Sequence, residues 1–413
     1  MINDSINCII EQNLNYDVIF DKGFLVNVGP RICLGVGILC FIVLTCVPGC
    51  YNLFTPNSHS INIGEVDDWG GELGAKGRSC HRGLLMAVEE VNKAGGIMGS
   101  QVRLMGRHNV PTPESAAKAT RELVDKGAVA IIGSLTSART LALAPITQAD
   151  GIPLITPSAT APSISDKGDY VFRVCFVDTF QGAVIAKFMF QDLKARRVAL
   201  LSNKKEVYSR GLARYFKGAF EAIGGHVVLA QNFVEKDDFI AQLTAIKDLK
   251  LDAIFMPGYF PEAITLINQA RKMGITVPIV GGDGWDSPDL EKKTRYASND
   301  CYYINHFSPF NPDPVVQAFV KKYRKKYQRL PDSYAALGYD AGSVLLYSIE
   351  QARSLRGEKI IEEMVSLREF PGVTGRITLD WNGNTAKSAI VVRLHNMKAH
   401  YMKTIPPFDI DEL

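Results

Sequence analysis

The sequence predicts an α/β protein with two lobes, each built around a doubly wound parallel sheet. Short apolar strands alternate with amphipathic helices from Ser60 onward, which is the order that a parallel sheet covered by helices requires. The alternation runs to about residue 177 and then begins again, with no low-complexity linker between the two sets. Several strands end in loops rich in glycine and hydroxyl residues. Because parallel strands end at a common edge of their sheet, these loops predict a small-molecule site there.

The elements of the first set follow from the spacing of apolar residues. In chain order they are strand 61–66, helix 82–93, strand 102–105, helix 112–126 and strand 129–132. A glycine-rich turn holding Gly70, Gly71, Gly74 and Gly77 is predicted before the first helix, and Gly95-Gly96 is expected to end that helix.

The second set repeats the pattern and is followed by a different C-terminal part. Its elements are helix 180–193, strand 197–201, helix 209–223, strand 225–229, helix 238–247, strand 253–256, helix 261–273 and strand 278–281. Two further amphipathic helices, 314–328 and 334–353, come after a break at residues 311–314. Residues 375–380 and 389–394 then predict a β-hairpin around Asn382-Gly383-Asn384.

The bulk composition narrows the class of protein. Of 413 residues, 46% are hydrophobic and 22% are charged, and the net charge is +3. A well-packed globular chain is therefore expected, with no nucleic acid as partner. The basic run 321–326 lies on a helical pattern with Val316, Phe319 and Val320 on its apolar face, which predicts a solvated helix face.

The first fifty residues predict a leader, either a signal peptide or an uncleaved membrane anchor. The apolar run Ile32–Val47 follows Arg31 and is short for a membrane span. It ends in Val47-Pro48-Gly49-Cys50, which is similar to the cleavage box of bacterial lipoproteins, where the cysteine receives lipid. Pro48 is unusual in such a box.

The remaining chemistry-bearing residues do not predict an enzyme. Phosphate-binding loops, dinucleotide-binding glycine patterns and nucleophile elbows do not occur in the sequence. Seven histidines are spread without pairing, so neither a metal nor another cofactor is expected. Cys80, Cys175 and Cys301 lie far apart, outside the leader, and three buried free thiols are predicted.

Two neighbouring loops form the best candidate site. The run 131–140 reads as a strand that ends at Gly133, followed by hydroxyl residues that cap a helix. A helix N-terminus presents free N–H groups and a positive dipole end, which suit a carboxylate. Residues 156–162 repeat the device after a second short strand. In the second set, loops 203–211, 258–262 and 281–285 also follow strands.

Residues 92–99, 133–137 and 157–160, together with 208–211, 258–262 and 281–284, resemble segments of the substrate-binding proteins of branched-chain amino acid ABC transporters. The resemblance covers Asn62 to Leu394. It implies the type I periplasmic binding fold, with two lobes that close about a hinge of several crossovers. The implied divisions are leader 1–50, first lobe 60–179 and 309–375, and second lobe 180–308 and 376–413.

The resemblance also implies roles for residues of the first lobe. Ser137 and Thr160 would hold the α-carboxylate of an amino acid, and Ser158, beside Ala159, would offer its backbone carbonyl to the α-ammonium. Ser137 and Thr160 acting only as helix caps remains an alternative.

In the second lobe, Asp283 would pair with the ammonium when the cleft closes, and Tyr208 with Tyr259 or Phe260 would cover the ligand. An ordinary turn aspartate and plain loop packing are the alternatives for these residues.

Lys76 departs from the pattern of the family. Relatives specific for aliphatic side chains tend to carry an aromatic residue where the glycine-rich turn here offers Lys76. If Lys76 faces the cleft, a ligand side chain with oxygen atoms fits better than leucine; if it faces solvent, nothing follows. Trp69 is an alternative source of the aromatic group.

The expected protein is a binding component without catalytic activity, located in the periplasm or lipid-anchored at the outer face of the membrane. It would capture an amino acid, either branched-chain or polar, and deliver it to the permease subunits of an ABC transporter. A receptor or regulator of the same fold that senses amides, urea or amino acids is one alternative, and a doubly wound enzyme is another.

Overall fold

The computed structural model describes residues 17–20, 24–27, 60–234 and 238–409. The apolar run Ile32–Val47 and the lipidation candidate Cys50 lie outside these residues. The chain divides into two compact units, Met1–Ser58 and His59–Leu413. In the first unit, β1 (Asp17–Phe20) and β2 (Phe24–Asn27) form an antiparallel pair. Among the described helices, none combines the length and apolar character needed to cross a membrane.

The second unit alternates strands and helices as the sequence predicts. Its strands are β3 (Ile61–Val66), β4 (Val102–Arg107), β5 (Ala130–Gly133), β6 (Leu154–Thr156), β7 (Val171–Arg173), β8 (Arg197–Asn203), β9 (His226–Phe233), β10 (Ala253–Met256), β11 (Ile279–Gly281), β12 (Cys301–Asn305), β13 (Phe370–Gly372), β14 (Gly375–Ile377), β15 (Ala389–His395) and β16 (Lys398–Ile405). Its helices are α1 (Gly74–Lys93), α2 (Pro113–Asp125), α3 (Ser137–Ala149), α4 (Asp178–Gln191), α5 (Val207–Ala222), α6 (Ile240–Lys247), α7 (Phe260–Lys272), α8 (Pro288–Thr294), α9 (Pro314–Tyr327), α10 (Ser333–Ala352) and α11 (Gly357–Ser366).

Two large sheets define the two lobes. The first has the order β4-β3-β5-β6-β7 and is parallel throughout. The second has the order β16-β15-β12-β11-β10-β8-β9, in which the pairs β12–β15 and β15–β16 are antiparallel and the other pairs are parallel. The predicted α/β class with two lobes is therefore confirmed, while the antiparallel edge of the second sheet was not predicted.

Each lobe has its own apolar core because helices cover the faces of its sheet. In the first lobe, β5 is buried at every position, and Ile63, Leu84 and Ile132 belong to one cluster with apolar residues of α10. A strand enclosed between two helical layers reads as a continuous apolar run. Cys80, Cys175 and Cys301 are buried and free, as predicted.

The basic run on α9 is a solvated helix face, as predicted. Val316, Phe319 and Val320 are buried, while Lys322 and Lys326 point outward and pair with glutamates of α1.

The first helix begins earlier than the sequence predicts. Helix α1 starts at Gly74 and not at Arg82, so half of the predicted glycine-rich turn is helical. A Cβ at Gly77 would lie 2.3 Å from the backbone oxygen of Asp68, and one at Gly74 would lie 2.2 Å from that of Trp69. These glycines therefore serve the close approach of the preceding loop to the helix, and they do not mark a turn.

The predicted C-terminal hairpin is wrong. Strand β14 pairs with β13, and β15 pairs with β12 and β16, so 375–380 and 389–394 do not pair with each other. The Asn382-Gly383-Asn384 turn joins only the single bridge between Leu379 and Thr385. Apolar burial explains the error, since Ile377 and Leu379 pack into the core of the first lobe and the chain crosses to the second lobe after them.

A buried lysine links two of the segments that run between the lobes. The Lys387 ammonium, shortly before β15, donates to the backbone oxygen of Val174, which follows β7. Lys387 also lies 3.8 Å from the carboxylate of Asp340 on α10, and neither side chain is exposed. Asp340 in turn accepts hydrogen bonds from the backbone amides of Val373 and Thr374.

Candidate functional site

The loop after β5 is held by a threonine one helical turn into α3. The hydroxyl of Thr140 lies 2.9 Å from the backbone oxygen of Ser134 and 3.2 Å from its nitrogen. Thr136 is the N-cap residue, yet its side chain makes no capping hydrogen bond. The predicted capping by loop hydroxyls is therefore wrong. The buried Ser137 accepts a hydrogen bond from the amide of Ala161 at 3.3 Å, which leaves its own O–H available to donate.

The loop after β6 lies directly beside the first loop, as the repeated pattern predicts. Ser158 donates its hydroxyl to the backbone oxygen of Leu135 at 3.0 Å, and Thr156 donates to that of Ser134 at 2.8 Å. Ala159 uses its amide for Thr156 and its carbonyl for Arg173. Thr160 is buried, and its hydroxyl faces the buried carboxyl of Asp178, whose pKa is raised by burial and lowered in part by the contact with Thr160.

Asp283 is the buried anion of the second lobe. One carboxylate oxygen accepts from Tyr208 at 2.7 Å and from Gln181 at 2.8 Å, and the other lies 3.3 Å from Nε2 of His306. Burial alone would raise the pKa of Asp283. The hydrogen bond and charge of His306, together with hydrogen bonds from Tyr208 and Gln181, hold this pKa below its ordinary value. The cleft thus contains a carboxylate that stays ionised.

The predicted aromatic residues lie in two different settings. The ring of Tyr208 lies 5.4 Å from that of Tyr259, and of the two only Tyr259 lines the cavities between the lobes. Phe260 packs in the core of the second lobe, with its ring centroid 5.3 Å from the Lys76 ammonium. For Phe260, the alternative of packing within the protein therefore holds at least in part.

Lys76 points between the lobes and not into solvent. Only 5% of the residue is exposed. Its ammonium donates to the backbone oxygen of Gly284 at 2.8 Å and to the Tyr334 hydroxyl at 2.7 Å. Burial lowers the pKa of Lys76 to about 8. Trp69 instead stacks on His108, with ring centroids 3.5 Å apart, and it does not line the cavities between the lobes.

Two cavities lie along this cleft. The inner one, about 10 Å³, is lined by Asp67, Asp68, Leu73, Lys76, Leu135, Thr136, Arg139, Tyr259 and Tyr334. An outer one of about 240 Å³ shares Leu73, Thr136, Arg139 and Tyr259. The inner space suits about one water molecule, and neither lining includes Ser137, Thr160 or Asp283. We therefore expect an amino acid to reach those three residues when the lobes move apart.

Several residues of the cleft escape sequence reasoning. Tyr334 falls at the start of a predicted helix, where an aromatic residue signals packing. Gln181 and His306 lie far along the chain from Asp283, and their distances to it follow only from the fold. Arg139 lies 3.6 Å from Asp68 beside the inner cavity.

The prediction that the histidines are spread without pairing is wrong. His81 and His108 lie together with Glu65 in the first lobe, and a ligand atom from each lies within 4.8 Å of the others. The sequence hides this grouping because the three residues belong to three different elements.

Comparison with known proteins defines the class of this chain. Residues 60–396 match the family described as periplasmic binding protein, and this chain belongs to that family. A Leu/Ile/Val-binding protein of Rhizobium johnstonii is 30% identical over 336 residues, covering 80% of this chain and 90% of that protein. A leucine-, isoleucine-, valine-, threonine- and alanine-binding protein of Pseudomonas aeruginosa is 29% identical, covering 73% and 81%.

Solved structures agree with this assignment. The leucine-binding protein LivK of Thermotoga maritima has a TM-score of 0.80 and 35% identity, covering 86% of this chain and 100% of that one. The branched-chain amino acid transporter substrate-binding protein LivJ of Streptococcus pneumoniae, solved with isoleucine, has a TM-score of 0.79 and 33% identity, covering 84% and 100%.

Proposed function

We propose that this chain is the solute-binding component of an ABC transporter, which captures an amino acid between its lobes and delivers it to membrane permease subunits. The ligand is bound and released without chemical change. Relatives named as amino-acid-binding proteins support this proposal, as does the absence of a nucleophile elbow or phosphate loop from the sequence.

The observation that carries the proposal is the charge pattern of the cleft. Ser137 offers a hydroxyl that is left free to donate, and the buried hydroxyl of Thr160 lies in the neighbouring loop; together they suit an α-carboxylate. Asp283 keeps its charge on the second lobe and suits the α-ammonium, with the Ser158 carbonyl as a second acceptor. Charge-assisted hydrogen bonds to both ends of one solute favour the closed arrangement, because they form fully only there.

Lys76 sets the proposed preference for the ligand side chain. Two of its three ammonium donors are used by Gly284 and Tyr334, and the third remains for a ligand. The inner cavity that it lines also carries Asp68, Thr136 and Arg139. A purely aliphatic side chain would leave this buried cation without a new partner, so we propose an amino acid whose side chain carries oxygen.

The proposal extends to location and organisation. Residues 1–50 direct the chain out of the cytoplasm, to the periplasm or to the outer face of the cell membrane, and Cys50 is the site of lipid attachment. The first lobe comprises residues 60–179 and 309–375, and the second lobe comprises 180–308 and 376–413. Ile377 and Leu379 are the exception, because they pack in the core of the first lobe.

Calorimetry with the twenty amino acids and a set of amides tests the function. We expect saturable binding of a few α-amino acids, with side chains bearing oxygen preferred over leucine, isoleucine and valine. Preferential binding of the aliphatic three would refute the role of Lys76 but leave capture intact. Absence of binding by every amino acid would refute capture itself.

An Asp283→Asn variant tests the ammonium contact separately. Removing one partner of a buried, hydrogen-bonded charge pair costs about 2–5 kcal/mol of binding free energy, so affinity should fall about 30-fold or more. Asp289→Asn, on the exposed surface of α8, is the matched control and should bind like the wild type. Equal affinity of the two variants would contradict the assignment.

A further inference from the structure

Three potential metal ligands meet on the first lobe. Glu65 lies on β3, His81 on α1, and His108 immediately after β4. Nδ1 of His81 lies 2.8 Å from Oε2 of Glu65, and Nε2 of His108 lies 3.9 Å from the same oxygen. A ligand atom from each of the three residues lies within 4.8 Å of the other two.

The carboxylate at the centre of this cluster is not fully paired. The Glu65 side chain is 3% exposed, and its Oε1 has no hydrogen-bond partner. A buried carboxylate oxygen without a partner carries a desolvation cost that a cation would remove. The two imidazoles are each 24% exposed, so an ion has a path from solvent.

A glycine allows His108 to reach the cluster. A Cβ at position 106 would lie 1.9 Å from Nε2 of His108, so the imidazole occupies the space that any other residue would fill. The ring is also held from the other side by Trp69, which stacks on it at 3.5 Å with an interplanar angle of 18°. The orientation of the potential ligand is therefore fixed by packing on both sides.

We propose that Glu65, His81 and His108 bind a divalent transition-metal ion, with Zn²⁺ the best fit. Two imidazoles and one carboxylate are a donor set that zinc uses, and tetrahedral bonds of about 2.0–2.1 Å place donor atoms about 3.3 Å apart. The separations of 2.8 and 3.9 Å from Glu65 Oε2 bracket that value, and the ligand atoms of the two imidazoles lie within 4.8 Å of each other, so rearrangement of these side chains would bring the three donors around one ion. A water molecule completes the coordination.

The site is distinct from the proposed cleft and has a structural consequence. None of its three ligands lines either cavity between the lobes. The ion joins β3 to α1, the helix whose first turn carries Lys76, and so stabilises the first lobe.

The test is zinc titration of tag-free, metal-stripped protein by calorimetry and by element analysis after dialysis. We expect one Zn²⁺ per chain. His81→Ala, His108→Ala and Glu65→Gln should each lower the affinity by more than about tenfold, while His226→Ala, which removes an exposed histidine elsewhere, should leave it unchanged. Gly106→Ala keeps all three ligands but displaces His108, so it should also weaken binding.

A spectroscopic readout keeps the proposal testable if a variant folds poorly. Co²⁺ in the wild-type protein should give visible absorption typical of a four-coordinate site, and it should quench the fluorescence of Trp69, a signal that Trp69→Phe removes. Zinc binding that is equal in the His81, His108 and His226 variants would overturn the proposal. So would an absence of stoichiometric zinc in the wild type, which would leave the cluster as a hydrogen-bonded triad.

Discussion

At the scale of single residues, Lys76 departs most from what its type suggests. A lysine is seldom buried, because removing its ammonium from water is costly unless partners replace the water. Here Gly284 and Tyr334 supply acceptors, and the rings of Tyr259, Phe260 and Tyr334 lie within 5.7 Å of the ammonium. The residue thus joins the two lobes and places a positive charge in the cleft.

The pKa of Lys76 predicts a pH dependence of ligand affinity. Burial lowers this pKa from 10.5 to about 8, so the charge is present at pH 7 and is lost as the pH rises through about 8. Affinity for a ligand with an oxygen-bearing side chain should therefore fall above pH 8, by up to about tenfold per pH unit. Calorimetry of the wild type and of Lys76→Met from about pH 6.5 to about pH 9.5 checks this.

In Lys76→Met the same ligand should bind more weakly at pH 7, with a flatter pH profile that reflects only the ligand's own ammonium. Parallel profiles for the two proteins would contradict the contact. The lowered pKa also means that the unfolded chain holds this proton more tightly, so the contribution of Lys76 to stability rises with pH between about 8 and 10.5.

At the scale of elements, the N-terminal half of α1 shows how packing overrides local preference. Glycine is a poor helix former, yet Gly74 and Gly77 lie in the helix because the backbone of Asp68 and Trp69 approaches it closely. This contact brings the helix against the loop and turns Lys76 toward the cleft.

Replacing glycine by alanine should therefore have opposite effects at two helical positions. Gly77→Ala should destabilise the protein by about 1–3 kcal/mol, because its Cβ meets the Asp68 carbonyl and overpacks the contact. Gly218→Ala in α5, where no atom lies within 4 Å of a new Cβ, should stabilise it by up to about 1 kcal/mol. Urea denaturation measures both, and a stabilising Gly77→Ala would contradict the packing argument.

At the scale of the whole molecule, binding requires the lobes to move. The inner cavity of about 10 Å³ cannot hold an amino acid, while contacts such as the hydrogen bond from Ser333 to Asp286 tie the lobes together. The segments that join the lobes must therefore flex while staying attached to each other. The buried contact of Lys387 with Val174 and Asp340 provides that attachment.

Loss of this buried pair should destabilise the whole second unit. Asp340→Ala removes the counterion of the buried Lys387 ammonium and the acceptor of the Val373 and Thr374 amides, and it should cost about 3–5 kcal/mol of unfolding free energy. Adding Lys387→Met removes the unpaired charge, so the double variant should be more stable than the sum of the single effects predicts, by about 0.5–3 kcal/mol. Strict additivity in urea denaturation would show that the two side chains do not interact.

The sequence predicts those parts of the molecule that depend on neighbouring residues. Alternating apolar patterns locate most strands and helices of both lobes, but they do not predict β12 of the second sheet or helix α11. The hydroxyl-rich loops after β5 and β6 lie side by side as expected. Contacts between distant segments could not be predicted. The direction of Lys76 depends on a glycine contact with the preceding loop, and the cluster of Glu65, His81 and His108 depends on three elements meeting.

The central claim is that the α-carboxylate of an amino acid is bound by the paired loops of the first lobe, and calorimetry of a Ser137→Ala/Thr160→Ala double variant tests it most directly. The probe in this experiment is the amino acid that binds the wild-type protein most tightly. Losing two hydrogen bonds to a charged group at about 1.5–3 kcal/mol each should weaken binding by more than about 100-fold, with the variant still folded. Binding of equal strength in the double variant would contradict the account.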